Sequence, residues 1–406
     1  MITNDPILLN ETGLQMVQEM KAQNSLLSIL ASSGREAVYS DLNQIAAIVR
    51  NGYGPQAFPI GDRIIDPWTD ADTSTQYDFE WAVADHRTVE LETGEQVPGM
   101  VLQAVYGLPY ANQFSNFQAF IKLPAGLVAG NYNIILGSTW SQATAGAVNF
   151  TLTQPVPAGG LLSGLEGMPD KAPANWSVKS WALPTDANPI ETVTVTRGDP
   201  IGTTLGTLQL TTRQDELGLN SMQRVAYGSN RWKTSADRAR LNSSGLNWFV
   251  PSADDPYAIR PTDYNKNGFM AGISQDLLNA TKKVKVTTIL NTVEGFGASE
   301  TTFDRFFLPS LEEINATPQS IGPEGPAFPY WKRKLGISGF AAGHPTTYAA
   351  YRIGAINAKT TPQDGRLRGA IRGNAYNAWY LSSSGGVNSG GHASNAFRSL
   401  PVCAIA

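Results

Sequence analysis

The sequence predicts an α+β chain. Helix-spaced apolar stripes occupy the first fifty residues, and period-two strand patterns punctuated by Gly and Pro run from residue 58 to residue 214. Helical patterns then return near residue 220, ahead of an ending made of short strands and Gly/Ser/Asn loops.

Leu14, Val17, Met20 and Ala22 open the first stripe, which reaches Leu26, Leu27 and Leu30. The second has Ser40 or Asp41 as N-cap, Leu42, Ile45, Ile48 and Val49 as its apolar face, and Gly52 as its stop. Short amphipathic helices cannot bury such faces alone, so two destinations stay open: the chain's own body, or a partner surface used for docking or self-association.

Phe58–Ile65, Phe79–Val83 and Val89–Leu91 ahead of the Thr93-Gly94 turn read as strands, and so do Asn131–Leu136 and Thr192–Thr196. Turn residues cluster at 155–160 and 169–173, a spacing that suits a small β-sandwich or meander. Further on, Thr234 or Ser235 caps a helix over Ala236–Leu241, and Ser274 precedes another at Asp276-Leu277-Leu278. Ser310 and Glu313 form a capping box that opens a helix at Pro309–Ile314. The chain ends on the apolar run Leu400–Ile405, and no internal repeat is visible.

With 406 residues the chain has room for two or three domains. Hydrophobic residues make up 42% and charged residues 16%, so the surface is rich in uncharged polar side chains. A net charge of −4 without a standout basic cluster excludes a groove built to neutralise nucleic-acid phosphates. No apolar run is long enough to insert into a membrane, and Met1–Leu9 lacks the pattern of a signal peptide. Outside-facing composition without an export signal suits a virion part, made in the bacterial cytoplasm and released by lysis. The single cysteine, Cys403, excludes internal disulfides and cysteine-clustered zinc.

Catalytic constellations are sparse. His86, His344 and His392 have no partner at metal-ligand spacing, so neither a metal nor a cofactor is expected. His86 reads as a structural or exposed residue. Asp263–Gly268 resembles the start of a calcium loop, but position twelve holds Ser274 where a bidentate carboxylate belongs, and an Asx-rich turn is the preferred reading.

Four pieces occur in order: Phe58–Ile65 with Phe79-Glu80-Trp81; Ser229-Asn230-Arg231-Trp232-Lys233-Thr234-Ser235 running on to Leu241-Asn242; Phe306–Glu313; and Arg366-Leu367-Arg368-Gly369 with Pro401-Val402-Cys403. Together they resemble a bacterial and phage family with a C-type-lectin-like fold, to which the formylglycine-generating enzymes are distantly related. The resemblance implies one lectin-like domain made of residues 56–107 and 215–406, a β-rich subdomain inserted at 108–214, and a helical attachment or oligomerisation segment at 1–55. The enzymes' chemistry needs a cysteine pair that this chain lacks, so catalysis is not expected.

The closing segment also resembles the variable ends of proteins rewritten by diversity-generating retroelements. Residues 372–399 contain no Lys, Glu, Gln or Met, side chains that adenine changes in an AAC or AAT codon cannot reach. Trp379 cannot be reached either and reads as framework. The resemblance implies a phage receptor-binding protein on the virion surface, a homotrimer by analogy, held to other virion proteins by its N-terminal segment. The alternative is a head-fibre or decoration protein without diversified binding. The partner would be a host-surface protein or glycan, bound by Arg366, Arg368, Arg372, Asn374, Tyr376, Asn377, Tyr380, Asn388, His392, Ser394, Phe397 and Ser399. Tyrosine and tryptophan supply rigid contact area in such loops, while Ser, Gly and Asn adapt their hydrogen bonds.

Overall fold

The computed structural model describes residues 41–116, 228–250, 254, 255, 258, 261, 266–292, 297–316, 324–339, 348–373 and 375–406; between 117 and 227 it describes only the backbone of strands. The stripe at 14–30 lies outside the described residues.

Helix α1 (Leu42–Arg50) begins where the Asp41 carboxylate accepts the amides of Asn43 and Gln44 at 3.1 and 3.0 Å. It stops at Gly52, whose φ of 79° is left-handed. Leu42, Ile45, Ala46, Ile48 and Val49 are buried against residues 96–104 and 275–280. Arg50 Nε donates to the carbonyl of Ala406 at 2.9 Å. The second stripe therefore packs on the chain's own body, so this part of the expected attachment segment belongs to the core.

After the short helix α2 (Gly54–Ala57), β1 (Arg63–Asp70) pairs antiparallel with β2 (Thr75–Glu90), which pairs with β3 (Gln96–Ala104). The strand expected over Phe58–Ile65 thus starts later. Pro59 cannot donate to a ladder and Gly61 turns the chain at φ 93°, so Phe58 is buried from a loop instead. In β1 the alternation puts Ile64, Asp66, Trp68 and Asp70 inward. The buried Asp66 is satisfied by Ser274, which donates through both its hydroxyl and its amide.

β4 (Ala111–Gln113) follows, then the backbone strands β5 (Ile121–Lys122), β6 (Gly130–Ile135), β7 (Ala147–Leu152), β8 (Leu161–Leu162), β9 (Ile190–Arg197) and β10 (Thr203–Thr211). β10, β9, β6 and β7 form a sheet in that order, and β5 pairs with β8.

Helix α3 (Ala236–Leu241) is capped by Ser235, whose hydroxyl accepts the Arg238 amide at 3.1 Å. Ser274 caps α4 (Gln275–Ala280) in the same way. β11 (Val284–Ile289) and β12 (Ser299–Asp304) make a hairpin ahead of β13 (Phe306–Phe307). At 309–316 the capping box forms, with Ser310 N donating to Glu313 Oε2 at 3.0 Å and Glu313 N to Ser310 Oγ at 3.1 Å. The expected helix does not. The segment runs as turns, with Asn315 at φ 61°, and the Glu313 carboxylate is shared with a buried arginine.

Helix α5 (Pro329–Leu335) leads to β14 (Ile353–Ala355), β15 (Ala358–Gln363), β16 (Gly365–Ala370), β17 (Asn377–Leu381), β18 (Val387–His392), β19 (Ala396–Ser399) and β20 (Val402–Ile405). Two five-stranded sheets result, ordered β1-β2-β3-β20-β13 and β18-β17-β16-β19-β4. β19 lies in one and β20 in the other, so the last strands of the chain complete both. The chain is α+β, 19% helical and 41% strand.

Aromatic rings from distant segments fill the core. Phe79 and Trp81 lie 4.9 Å apart, Phe269 meets Phe306 edge-on at 5.1 Å, and Trp68 donates its indole N–H to the Phe269 carbonyl at 3.1 Å. Such ring pairs add about 0.5–1.5 kcal/mol each beyond the area they bury.

Candidate functional site

The site is built on β16, β17 and β18. Arg366 of β16 is fully buried, in register with Tyr380 of β17. Its guanidinium hydrogen-bonds to main-chain carbonyls: Nη1 donates to those of Ala378 (3.3 Å) and Gly391 (3.1 Å), and Nη2 to those of His392 and Asn395 (both 2.9 Å). A charged donor is worth about 1.5–3 kcal/mol per hydrogen bond, so one side chain fixes three separate stretches of loop and strand. Burial outweighs the opposing pull of Asp237, Tyr380 and Asp364 and brings the Arg366 pKa down to about 10, which leaves it cationic at neutral pH.

Above this support the side chains form two linked pairs. Tyr380 stacks on Phe397, with centroids 4.6 Å apart and planes 21° apart, and the Phe397 ring in turn covers the Arg366 guanidinium at 4.2 Å. Tyr376 lies 5.7 Å from the His392 ring, and His392 Nδ1 donates to Asn377 Oδ1 at 2.9 Å. Asn377 stands opposite His392 in the ladder, and Tyr380 opposite Asn388. Gly391 sits where the stack closes: a Cβ there would meet Tyr380, Arg366 and Phe397 at 2.8–2.9 Å, so only glycine fits.

The face carries little charge of its own. His392 is held below its ordinary 6.5 by burial and, secondly, by Arg366, which favours the neutral ring. Tyr380 is raised by burial and then by Asp364, which keeps the phenol protonated. An array of neutral phenols, amides and an imidazole recognises by shape, stacking and hydrogen bonds rather than by charge.

Of the expected contact residues, Tyr376, Asn377, Tyr380, Asn388, His392, Ser394 and Phe397 are half-buried on these strands and loops, and Arg372 is exposed. Asn374 lies outside the described residues. Trp379 is buried, as a framework residue would be.

Three expected contacts are corrected. Arg366 is the support described above, with no exposed surface. Arg368 is buried too: its guanidinium pairs with Glu313 and donates to the carbonyls of Leu308 (2.7 Å), Glu324 (2.8 Å) and Thr287 (3.4 Å). Ser399 is buried between Asn112, which donates to it at 3.2 Å, and Asp237, to which it donates at 2.9 Å. The resemblance implies surface contacts at all three, and each is inside because partners far away in sequence satisfy it.

The same partners are what sequence reading missed. Glu313 reads as a helix cap in the sequence, and Glu324 carries no motif. Gln113 supports the loop by donating to the Ser394 carbonyl at 2.9 Å, again without a motif. Among the described residues no group of three or more His, Cys, Asp or Glu side chains is placed to hold a metal ion. Residues 262–265 of the calcium-like segment are outside the described residues; Asn267 bonds to Asp72, through both its amide N–H (3.0 Å) and its side chain (2.9 Å). His86 is a half-buried member of β2 whose Nε2 bonds the Phe58 carbonyl at 2.7 Å. His344 lies outside the described residues. Cys403 is fully buried in β20, and burial raises its thiol well above the ordinary value.

Comparison with known families finds that residues 207–406 are similar to a domain of unknown function, DUF6273, across just under half of the chain. No curated protein and no solved structure matches the chain.

Proposed function

We propose that this chain is a receptor-binding protein of a phage virion, with a C-type-lectin-like domain that engages a host-surface protein or glycan through the face built by β17, β18 and the loops around them. The observation that carries this reading is the division of labour at Arg366. The main chain of the face is held by a buried guanidinium through backbone carbonyls, so the displayed side chains are not what holds the loop in place. A surface that exchanges side chains needs such a support. The depletion of residues 372–399 in Lys, Glu, Gln and Met supports the same reading. In this reading residues 1–40 join the protein to the virion, and the assembly is a homotrimer whose several sites gain avidity.

Tyr376→Ala tests it. The ring is half-buried and its described ring contact is with His392, so the melting free energy should change by no more than about 0.5 kcal/mol. Adsorption of the purified protein to a panel of bacterial strains should fall about tenfold or more on any strain that the wild type binds. Unchanged adsorption by the folded variant would favour a virion structural protein without a recognition role for this face.

A further inference from the structure

A second concavity lies away from the recognition face, between β2, β3, β11 and the segment 324–328, with a volume of about 370 Å³. That is room for a small organic molecule. Its walls are apolar: Val89, Val101, Val284, Val286, Phe307 and Phe328 line it. Its floor is ionic, made by Glu313, Glu324 and Arg368, all buried.

The charges of that floor do not balance. Arg368 faces two lining carboxylates, and Glu312 is buried close by. The cations at the rim are already engaged: Arg87 with Asp85 at 2.6 Å, and Lys285 with Glu90 at 3.1 Å. Among the described residues, each lining carboxylate also keeps one oxygen without a hydrogen-bond partner. Glu313 uses Oε2 for Ser310 and Arg368, leaving Oε1; Glu324 uses Oε1 for the Ile289 amide at 2.8 Å, leaving Oε2. An isolated excess carboxylate in an apolar enclosure is costly, and an entering cation would offset it.

We propose that this cleft is a binding site for a small ammonium-bearing ligand with an apolar body, its cationic head on Glu324 and Glu313 and its body between the valines and the two phenylalanines. The Glu324 carboxyl, raised to about 7 by burial first and by Glu312 and Glu313 in part, against the opposing pull of Arg368, must be ionised to hold the ligand. Affinity therefore rises as pH rises from about 6 to about 8, a range in which an alkylammonium stays charged. The other charged groups facing the cleft are Arg87, Glu90, Lys285, Glu313 and Arg368.

The test is calorimetric titration of the full chain with n-butylammonium chloride, and with n-butanol and butyrate as isosteric controls. Butylammonium should bind saturably with a Kd on the order of 1 mM, more tightly at pH 8 than at pH 6, and the two controls at least about tenfold more weakly. Glu324→Gln keeps an oxygen for the Ile289 amide and should lose at least about tenfold in affinity while melting as a folded protein. Tyr376→Ala should bind butylammonium as the wild type does, which separates this site from the recognition face. No saturable binding up to about 50 mM, butanol binding as tightly as butylammonium, or affinity independent of pH in the wild type would each overturn the proposal.

Discussion

Arg366 and Arg368 stand two residues apart on β16, both buried, and they do different work. Arg366 has no carboxylate in contact; it binds main-chain carbonyls from three stretches, and burial lowers its pKa. Arg368 meets Glu313 directly, with Glu324 and Glu312 near, and its pKa is raised because their combined pull exceeds the effect of burial. One is a cross-link for a loop, and the other is the counter-ion of an acidic floor. The lesson is that a buried arginine's role follows from what it binds, not from its burial or its place in the chain.

The largest effect expected from breaking this comparison is at Arg368. Arg368→Met leaves Glu313 buried without its cation and should destabilise the fold by about 3–5 kcal/mol, as the loss of one partner of a buried ion pair does. Denaturant melts at pH 7 measure it, and the loss should shrink at acid pH as the orphaned carboxyl takes up a proton. A loss equally large at every pH would mean that packing, not charge, is what Arg368 contributes.

Arg366→Met comes next, with an expected cost of about 2–4 kcal/mol from four carbonyls losing a charged donor. Here no carboxylate loses a direct partner, since Asp237 and Asp364 act on Arg366 only at a distance, so the loss should shrink less in acid than at Arg368. Hydrogen exchange should quicken across 376–396 more than in β1–β3. Uniform quickening would show that Arg366 is ordinary core rather than a local cross-link.

Glu324 gives the smallest expected change, with the opposite sign. Its carboxyl titrates at about 7 in the fold and at an ordinary 4.5 when unfolded. The folded state therefore holds the proton more tightly, so this stabilising contribution is complete below 4.5 and is lost as pH rises through about 7. Glu324→Gln should be more stable than the wild type by about 1–3 kcal/mol at pH 8 and nearly equal to it at pH 5. Melts at the two pH values decide. A variant less stable at pH 8 would show that the ionised Glu324–Arg368 attraction outweighs burial.

Local features were legible in the sequence because their causes lie within four residues. Of the paired N-cap candidates Asp41 and Ser235 do the capping, Ser274 caps the helix it precedes, and Ser310 and Glu313 exchange their capping hydrogen bonds. Even there the local rule had a limit, since the box formed without its helix. The polar and aromatic composition of the C-terminal loop was equally plain, and four of the side chains it nominated gather in two ring pairs, Tyr380 with Phe397 and Tyr376 with His392.

What tertiary structure alone decided is which polar residues face inward. The partners of Arg368 at Leu308, Glu313 and Glu324 lie 60, 55 and 44 positions away, and the Asn112 that supports Ser399 lies 287 away. No periodicity or motif links such pairs. A polar side chain can be buried only where distant strands happen to supply its hydrogen bonds, and that supply exists only once β16, β19 and β20 have closed the two sheets.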